Sequence, residues 1–382
     1  MKKTTLYKIN AFVTLAIFLL MIYIPFIGAL FQKDQSISTV EKRTLAKPPN
    51  IPASKKTLTQ FPRQMDAYYA DHFGFRETII QYYYDIKNLF DQNDVSDDVT
   101  FGTDGWMFLG GIKKGYTNYE NPIGDVMHTD LYSQEGLKQF AHYINTVSNW
   151  LKQKGIKYIF VIAPNKHTIY FDKLPAYITK QNPDSSTDQL VHYLTKYTDT
   201  PIVDLRKALL KEKDKQQLYY KTDTHWNYLG ANIAQYEITK TIEKIFPNQI
   251  IPKLLTKNKF IQHKRPGGDL SHFAKLRNIT EDDYRPRFNQ NCTVKRVPPH
   301  SGIREPFTSY CPDGKLTALI FRDSFFTALV PYIERKFKYS TYIWEKLSYK
   351  KLKKYTDEHH YDIVIEEWVE RSFPYVPNTK GF

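Results

Sequence analysis

The chain has 382 residues, 41% of them hydrophobic and 25% charged, with a formal net charge of +14. That apolar share excludes a disordered chain, and the length suffices for one large domain or one domain with accessories. The charge is spread over lysine-rich stretches such as Lys211 to Lys215 and Lys346 to Lys354. It reads first as a solvated basic surface, and otherwise as one suited to anionic lipid headgroups or an acidic polymer.

Residues 11–31 carry no charged side chain and would form a helix about 31 Å long, the thickness of a bilayer core. They are expected to be a transmembrane signal anchor, which the run favours over a cleaved signal peptide because it exceeds a usual leader core and no small-x-small site follows. Pro25 is tolerable in such a span. Lys2, Lys3 and Lys8 precede the run, so residues 1–10 should be cytoplasmic and everything after Gln32 outside. An exported chain meets no nucleic acid, so none is expected as a partner. Residues 32–57 read as a linker, because Pro48, Pro49 and Pro52 preclude a regular helix or a central strand. Residues 58–95 have a helical, aromatic-rich pattern broken at Phe73-Gly74-Phe75, so short membrane-proximal helices are expected. Asp71 to Arg76 would lock them onto the main domain.

Residues 96–382 then read as the principal domain. Val99 to Gly102 and Trp106 to Leu109 flank Asp104-Gly105, a hairpin signal. Leu137, Phe140, Ile144, Val147 and Leu151 recur every three or four residues, one buried helix face that Gly155 ends. Apolar strands are expected at Tyr158 to Ile162, Ile202-Val203, Leu316 to Phe321, Tyr339 to Ile343 and Ile363 to Ile365. Helices Tyr228 to Ile245 and Leu347 to Tyr355 fall among them. Continuous apolar strands separated by helices predict an α/β fold with a largely parallel sheet, helices on both faces and ligands at the carboxyl ends of the strands.

Two segments carry chemistry: Lys221-Thr222-Asp223-Thr224-His225-Trp226-Asn227 and Phe321-Arg322-Asp323-Ser324-Phe325. In an extended segment Asp223 and His225 share a face, about 6 to 7 Å apart at Cα, so the carboxylate can hold the imidazole Nδ1 proton. Ser324 follows an apolar strand and precedes a helical turn expected over Phe325 to Val330, where backbone N–H groups suit an oxyanion. Trp226 could stack on a sugar face, although an aromatic residue at a helix start more often packs in the core. Asn227 reads equally well as a helix N-cap.

Lys166 and Tyr170 follow a strand end and either line the cleft or pack beside it. Glu366, Glu367 and Glu370 suggest a carboxylate pair, but an ion-paired strand end with Arg371 is the better reading. The two cysteines, Cys292 and Cys311, can close a loop of about 20 residues worth ~3 kcal/mol, provided their Cα atoms come within reach. No metal site or cofactor is expected.

These segments resemble the SGNH hydrolase-like O-acetyltransferases typified by alginate O-acetyltransferase. The resemblance extends over Glu41 to Ala46, Asp71 to Glu77, Gly102 to Leu109, Ala163-Pro164-Asn165-Lys166, Ile169-Tyr170, Asp223 to Asn227, Gly267-Gly268-Asp269-Leu270, Asp323-Ser324-Phe325 and Tyr361 to Arg371. Asp-x-His before the serine matches the family's circularly permuted order. The resemblance implies Ser324 as nucleophile, His225 as general base and Asp223 as its orienter, leaving Asp323 as the serine's neighbour. It also marks Asn165, Lys166, Tyr170 and Trp226 as substrate-binding candidates. Arg322 stands where the superfamily usually has glycine, which makes its guanidinium a candidate for the oxyanion hole. The short stretch after Arg371 points to the membrane-anchored, single-domain type. The implied function is acetyl transfer to an exported polysaccharide in the periplasm, with a multi-pass membrane acyltransferase as acetyl supplier. An acetyl esterase with the same triad and a non-catalytic export scaffold are the alternatives.

Overall fold

The computed structural model describes the chain apart from residues 1–2, 32–33, 35, 37, 39–43, 53–54, 81, 83–97, 111–120, 289–291, 298–303 and 374. Glu41 to Arg43 and the later part of the expected membrane-proximal helices thus lie outside the described residues. The chain divides into two compact units, residues 1–95 with 272–277, and residues 96–271 with 278–382.

In the first unit, helix Lys3–Phe31 contains Ala11–Ala29, with mean hydropathy 2.4, long and apolar enough to cross a membrane. Helix Lys55–His72 follows the proline-bearing stretch. It ends at Phe73-Gly74-Phe75, where Phe75 takes a left-handed φ of 61°. Asp71 and Glu77 tie down the preceding chain, Asp71 accepting from the Ala46 amide at 2.8 Å and Glu77 from the Ser38 hydroxyl at 2.7 Å.

The second unit is built on a mixed sheet. Its described strands, in chain order, are β1 (Val99–Phe101), β2 (Met107–Leu109), β3 (Lys157–Ala163), β4 (Ile202–Asp204), β5 (Phe260–Pro266), β6 (Thr280–Pro286), β7 (Lys295–Val297), β8 (Phe307–Tyr310), β9 (Thr317–Phe321), β10 (Tyr339–Ile343) and β11 (Ile363–Val369). Seven form one sheet in the order β4-β3-β11-β9-β10-β8-β7. The pairs from β4 to β10 are parallel, whereas β8 and β7 add antiparallel strands at one edge. The hairpins β1–β2 and β5–β6 stand apart from it. Strands β5 to β8 escape the pattern of apolar runs because they are short or polar: Lys295-Arg296-Val297 is exposed throughout.

Alternation along each parallel strand builds two cores. Ile159, Val161, Ala318, Ile320, Ile363 and Ile365 meet Leu229, Ile233, Ile238 and Ile242 of helix Tyr228–Ile245 on one face. Tyr158, Phe160, Leu319, Phe321 and Val364 meet helices Gln134–Gln153, Ser186–Tyr197 and Tyr349–Glu358 on the other. Helix Gln134–Gln153 starts where the Ser133 hydroxyl accepts from the Gly136 amide, and the chain leaves it through Gly155 at φ 74°. Phe140 is fully buried and sits edge-on to Phe160, Trp368 and Phe373. Phe140→Ala is therefore expected to cost about 3 to 5 kcal/mol in chemical denaturation, through lost burial and an unfilled cavity.

At the acidic strand end the ion pair is made by Glu370, whose carboxylate lies 3.7 Å from the Arg206 Nε. Glu366 and Glu367 lie within β11 and alternate across the sheet. Glu366 accepts from the hydroxyls of Tyr143 (2.8 Å) and Tyr158 (2.6 Å) and from the Trp368 indole (2.9 Å), so neutral donors satisfy it. Glu367 accepts from the Asp323 amide at 3.0 Å, and Glu370 from the Asn165 amide at 2.7 Å. A disulfide joins Cys292 and Cys311, whose Cα atoms are 5.7 Å apart.

Candidate active site

Ser324 lies three residues after the end of β9, and a 3-10 turn, Phe325–Ala328, begins directly after it. Only after that turn does a four-residue α-helix, Val330–Ile333, form. Asp323 holds the turn to the sheet. One of its carboxylate oxygens accepts from the Phe325 amide at 2.8 Å, the other from the Val369 amide of β11 at 2.9 Å.

Asp223 and His225 come from a bent segment, not from the extended one expected. The Asp223 Oδ1 accepts from the His225 backbone N–H at 3.1 Å, an Asx-type turn, and lies 2.6 Å from the imidazole Nδ1. The turn, rather than strand alternation, sets the pair on one side. On the far side of the ring Nε2 lies 2.7 Å from the Ser324 Oγ. Acid, imidazole and hydroxyl thus form a continuous hydrogen-bonded line, with the imidazole about a quarter exposed and the carboxylate nearly covered.

A second layer holds that line. Arg265 of β5 donates to the Asp223 Oδ2 at 3.1 Å, and its guanidinium stacks on Tyr220, 4.2 Å from the ring centre. Tyr220 in turn donates to Asp283 of β6 at 2.5 Å. Gly268 approaches so closely that a Cβ there would lie 2.3 Å from that of Asp223. Thr224 donates to Asp269 at 2.7 Å, while the Thr224 amide reaches the other Asp269 oxygen at 2.8 Å.

Burial alone would raise the Asp223 carboxyl. The hydrogen bond and charge of His225 and the charge of Arg265 outweigh it, holding Asp223 well below the usual carboxylate range and ionised at neutral pH. Asp223, His225 and Asp269 bring three ligand-type atoms within 4.8 Å of one another. Arg265 and the Thr224 hydroxyl already supply the positive charge and the donor hydrogen that a cation would displace. Arg265→Leu removes one charge-assisted hydrogen bond worth about 1.5 to 3 kcal/mol. Turnover of an acetyl ester is expected to fall roughly 10- to 100-fold, since each 1.36 kcal/mol is tenfold in rate.

The other residues singled out from sequence divide into two groups. Lys166 and Trp226 join the site from behind. The Lys166 ammonium is buried and donates to the carbonyls of Tyr220 (3.1 Å), Lys221 (3.1 Å) and Asp223 (2.8 Å), pinning the loop that carries the acid. Trp226 is buried, its indole donating to the Phe325 carbonyl at 2.9 Å, so it ties the imidazole's segment to the serine turn. Next to it, Asn227 caps helix Tyr228–Ile245 through the Leu229 and Gly230 amides.

Asn165 and Tyr170 are engaged elsewhere, whereas Arg322 is engaged with the serine turn itself. The Asn165 amide group donates to Asp125 at 2.8 Å. Tyr170 accepts from the Leu218 amide at 2.9 Å and stacks on Trp106, and burial pushes its hydroxyl up to about 12. Arg322 donates to the Asp323 carbonyl (3.1 Å) and the Thr327 hydroxyl (3.0 Å), with its guanidinium 4.0 Å from the centre of the Trp344 ring. The guanidinium thereby braces the serine turn from Asp323 to Thr327. Sequence reasoning missed Arg265 altogether. It stands 42 residues from Asp223, and only the β5–β6 hairpin carries it there.

The family model for the SGNH hydrolase-like domain of acetyltransferase AlgX matches residues 99–305, more than half of the chain. The matched segment contains Asp223 and His225 and ends before Ser324. A protein named probable alginate O-acetylase AlgJ, from Pseudomonas putida, is 25% identical over 155 residues, which cover 40% of this chain and 36% of that protein. The chain thus spans about a third of the length of the curated relatives it matches. The structure of Bacillus cereus PatB1 with a sulfonyl adduct covers 72% of this chain and 96% of its own, at 17% identity and a TM-score of 0.50. A DHHW family protein from Eubacterium siraeum covers 73% of this chain and 92% of its own, also at 17% identity and a TM-score of 0.50. Those two likenesses speak to the fold, an SGNH-like α/β arrangement with a mixed sheet. With the family model spanning more than half its length, the chain belongs to the SGNH hydrolase-like family of acetyltransferase AlgX.

Proposed function

We propose that this chain is a membrane-anchored O-acetyltransferase that acts outside the cytoplasmic membrane on the hydroxyls of a polysaccharide, through a Ser324–His225–Asp223 triad. The observation that carries the reading is the line of hydrogen bonds from Asp223 through His225 to Ser324, at 2.6 and 2.7 Å. The relatives named alginate O-acetylase support a sugar polymer as acceptor. The apolar helix, with lysines ahead of it, supports an inner-membrane anchor and a periplasmic domain.

In the first half-reaction the Ser324 Oγ attacks the acetyl carbonyl and its proton passes to the His225 Nε2. The bond to the donor's leaving oxygen or sulfur then breaks, and that atom takes the proton from His225, leaving acetyl-serine. In the second half a sugar hydroxyl attacks, gives its proton to His225, and forms the new ester as the Ser324 Oγ leaves with that proton. Asp223, ionised and held by Arg265, stabilises the imidazolium in both halves. A multi-pass membrane acyltransferase is the partner that would bring acetyl groups to the outer side.

The test is mass spectrometry of the protein after incubation with a phosphonyl or acetyl ester reagent. A label on Ser324 that is lost in His225→Ala supports the triad, and no label at any serine sinks the enzyme reading. Acetate release with no transfer to an oligosaccharide would make the protein an esterase.

A further inference from the structure

The Phe73-Gly74-Phe75 turn is seated directly on the apolar helix. The Gly74 amide donates to the Pro25 carbonyl at 3.0 Å. A Cβ at Gly74 would lie 2.3 Å from that carbonyl oxygen and 2.4 Å from the Ala29 nitrogen, so only glycine permits the approach. The Phe75 ring lies over Gly28 equally closely, because a Cβ at Gly28 would come within 2.5 Å of it. Pro25 is four residues before the end of Ala11–Ala29, about 6 Å along the helix axis. If that helix spans the bilayer, the turn sits about 6 Å inside the outer end of the apolar stretch, at the boundary between acyl chains and headgroups.

The two helical segments that meet at this turn carry apolar side chains suited to that depth. On helix Lys55–His72 the exposed Leu58, Met65 and Tyr69 are seven and four residues apart, within about 40° of one another around the axis. Gln60, Arg63 and Gln64 take the opposite face. After the turn, residues 76–80 are helical, and Phe75, Ile79 and Tyr82 recur at the same kind of spacing. All six side chains are at least 42% exposed. A row of that kind is costly to leave in water, and tyrosine suits the wet side of an interface.

We propose that helix Lys55–His72 and the helical residues after Phe75 lie in the outer lipid–water interface beside the apolar helix, fixed there by the Gly74–Pro25 contact. Such a helix immerses its apolar face about 5 to 10 Å, which matches the depth of the turn. The inference rests on the reading of residues 11–31 as a membrane anchor, and its test separates the two.

Single cysteines at Met65, Ile79, Gln60 and Leu19 would be spin-labelled in the full-length protein, in liposomes of phosphatidylethanolamine and phosphatidylglycerol. The native cysteines are joined to each other and do not compete for label. Collisions with oxygen should exceed those with a water-soluble nickel chelate at positions 65, 79 and 19, with the reverse at 60. Gly74→Val should move the label at 79 into water several-fold by the chelate ratio and leave that at 19 unchanged. Chelate collisions dominating at 65 and 79 while 19 stays in lipid would overturn the proposal and spare the anchor. A label at 79 hidden from both reagents would mean a protein partner covers the face, which also overturns it. Water exposure at 19 would overturn both readings.

Discussion

Ser324→Ala is expected to lower turnover of a small acetyl ester by at least ~10⁴-fold, because members of a catalytic triad act as a unit and the loss of one removes most of the effect. Stability should move little. The lost hydroxyl leaves the His225 Nε2 at a partly exposed edge of the ring, where water can replace it. A thermal melt within a degree or two of the parent, alongside lost turnover, separates chemistry from folding. Asp223→Asn makes the complementary case, because an amide cannot fix the imidazole tautomer as the carboxylate does, and a loss near ~10⁴-fold is expected. Turnover within tenfold of the parent for Ser324→Ala would remove Ser324 from the chemistry.

The second large effect belongs to a residue that touches no substrate in this scheme. Lys166→Met keeps the length and most of the volume but leaves the carbonyls of Tyr220, Lys221 and Asp223 without their shared donor. The Lys221 carbonyl still accepts from the Met107 amide at 3.0 Å, whereas those of Tyr220 and Asp223 become buried orphan acceptors, each costing about 1 to 3 kcal/mol. With partial relaxation the variant should lose about 3 to 5 kcal/mol, a fall in melting temperature on the order of 10 °C. Turnover should fall with it, since the Asp223 segment loses its tether.

The deficit should also depend on pH. Burial, opposed by the charges of Asp269, Asp223 and Glu281, draws the Lys166 ammonium down to about 7. Between that value and the ordinary lysine value near 10.4 the unfolded chain binds more protons than the folded one, so the parent gains stability as pH rises through this window. The gap between parent and Lys166→Met should therefore widen from pH 7 to pH 9 in matched melts. A constant gap would mean that Lys166 titrates alike in both states.

The core could be read from sequence where periodicity was strong. The Leu137 to Leu151 face and the apolar runs of β3, β9, β10 and β11 are each set by burial on a helix or strand period, which is local information. Strands β7 and β8 could not be read this way, because β7 is an edge strand exposed throughout and β8 has only four residues, alternating buried and half-buried. The proximity of Asp223 to His225 was predicted, but for another reason than the one observed: an Asx-type turn aligns them. Trp226 is buried, as its place at a helix start favoured over sugar stacking, and Lys166, read as lining the cleft or packing beside it, is a buried strut behind it.

The apolar helix, the α/β core and the three residue types of the proposed triad were legible in the chain itself, because hydropathy, period and short-range spacing are properties of neighbouring residues. It takes the folded chain to bring Ser324 to His225 across 99 residues, to set Arg265 on Asp223 and to let Arg322 brace the serine turn. Those contacts are made by strand order and hairpin placement. Chain folding over such separations is a collective result of packing, and no local pattern encodes it.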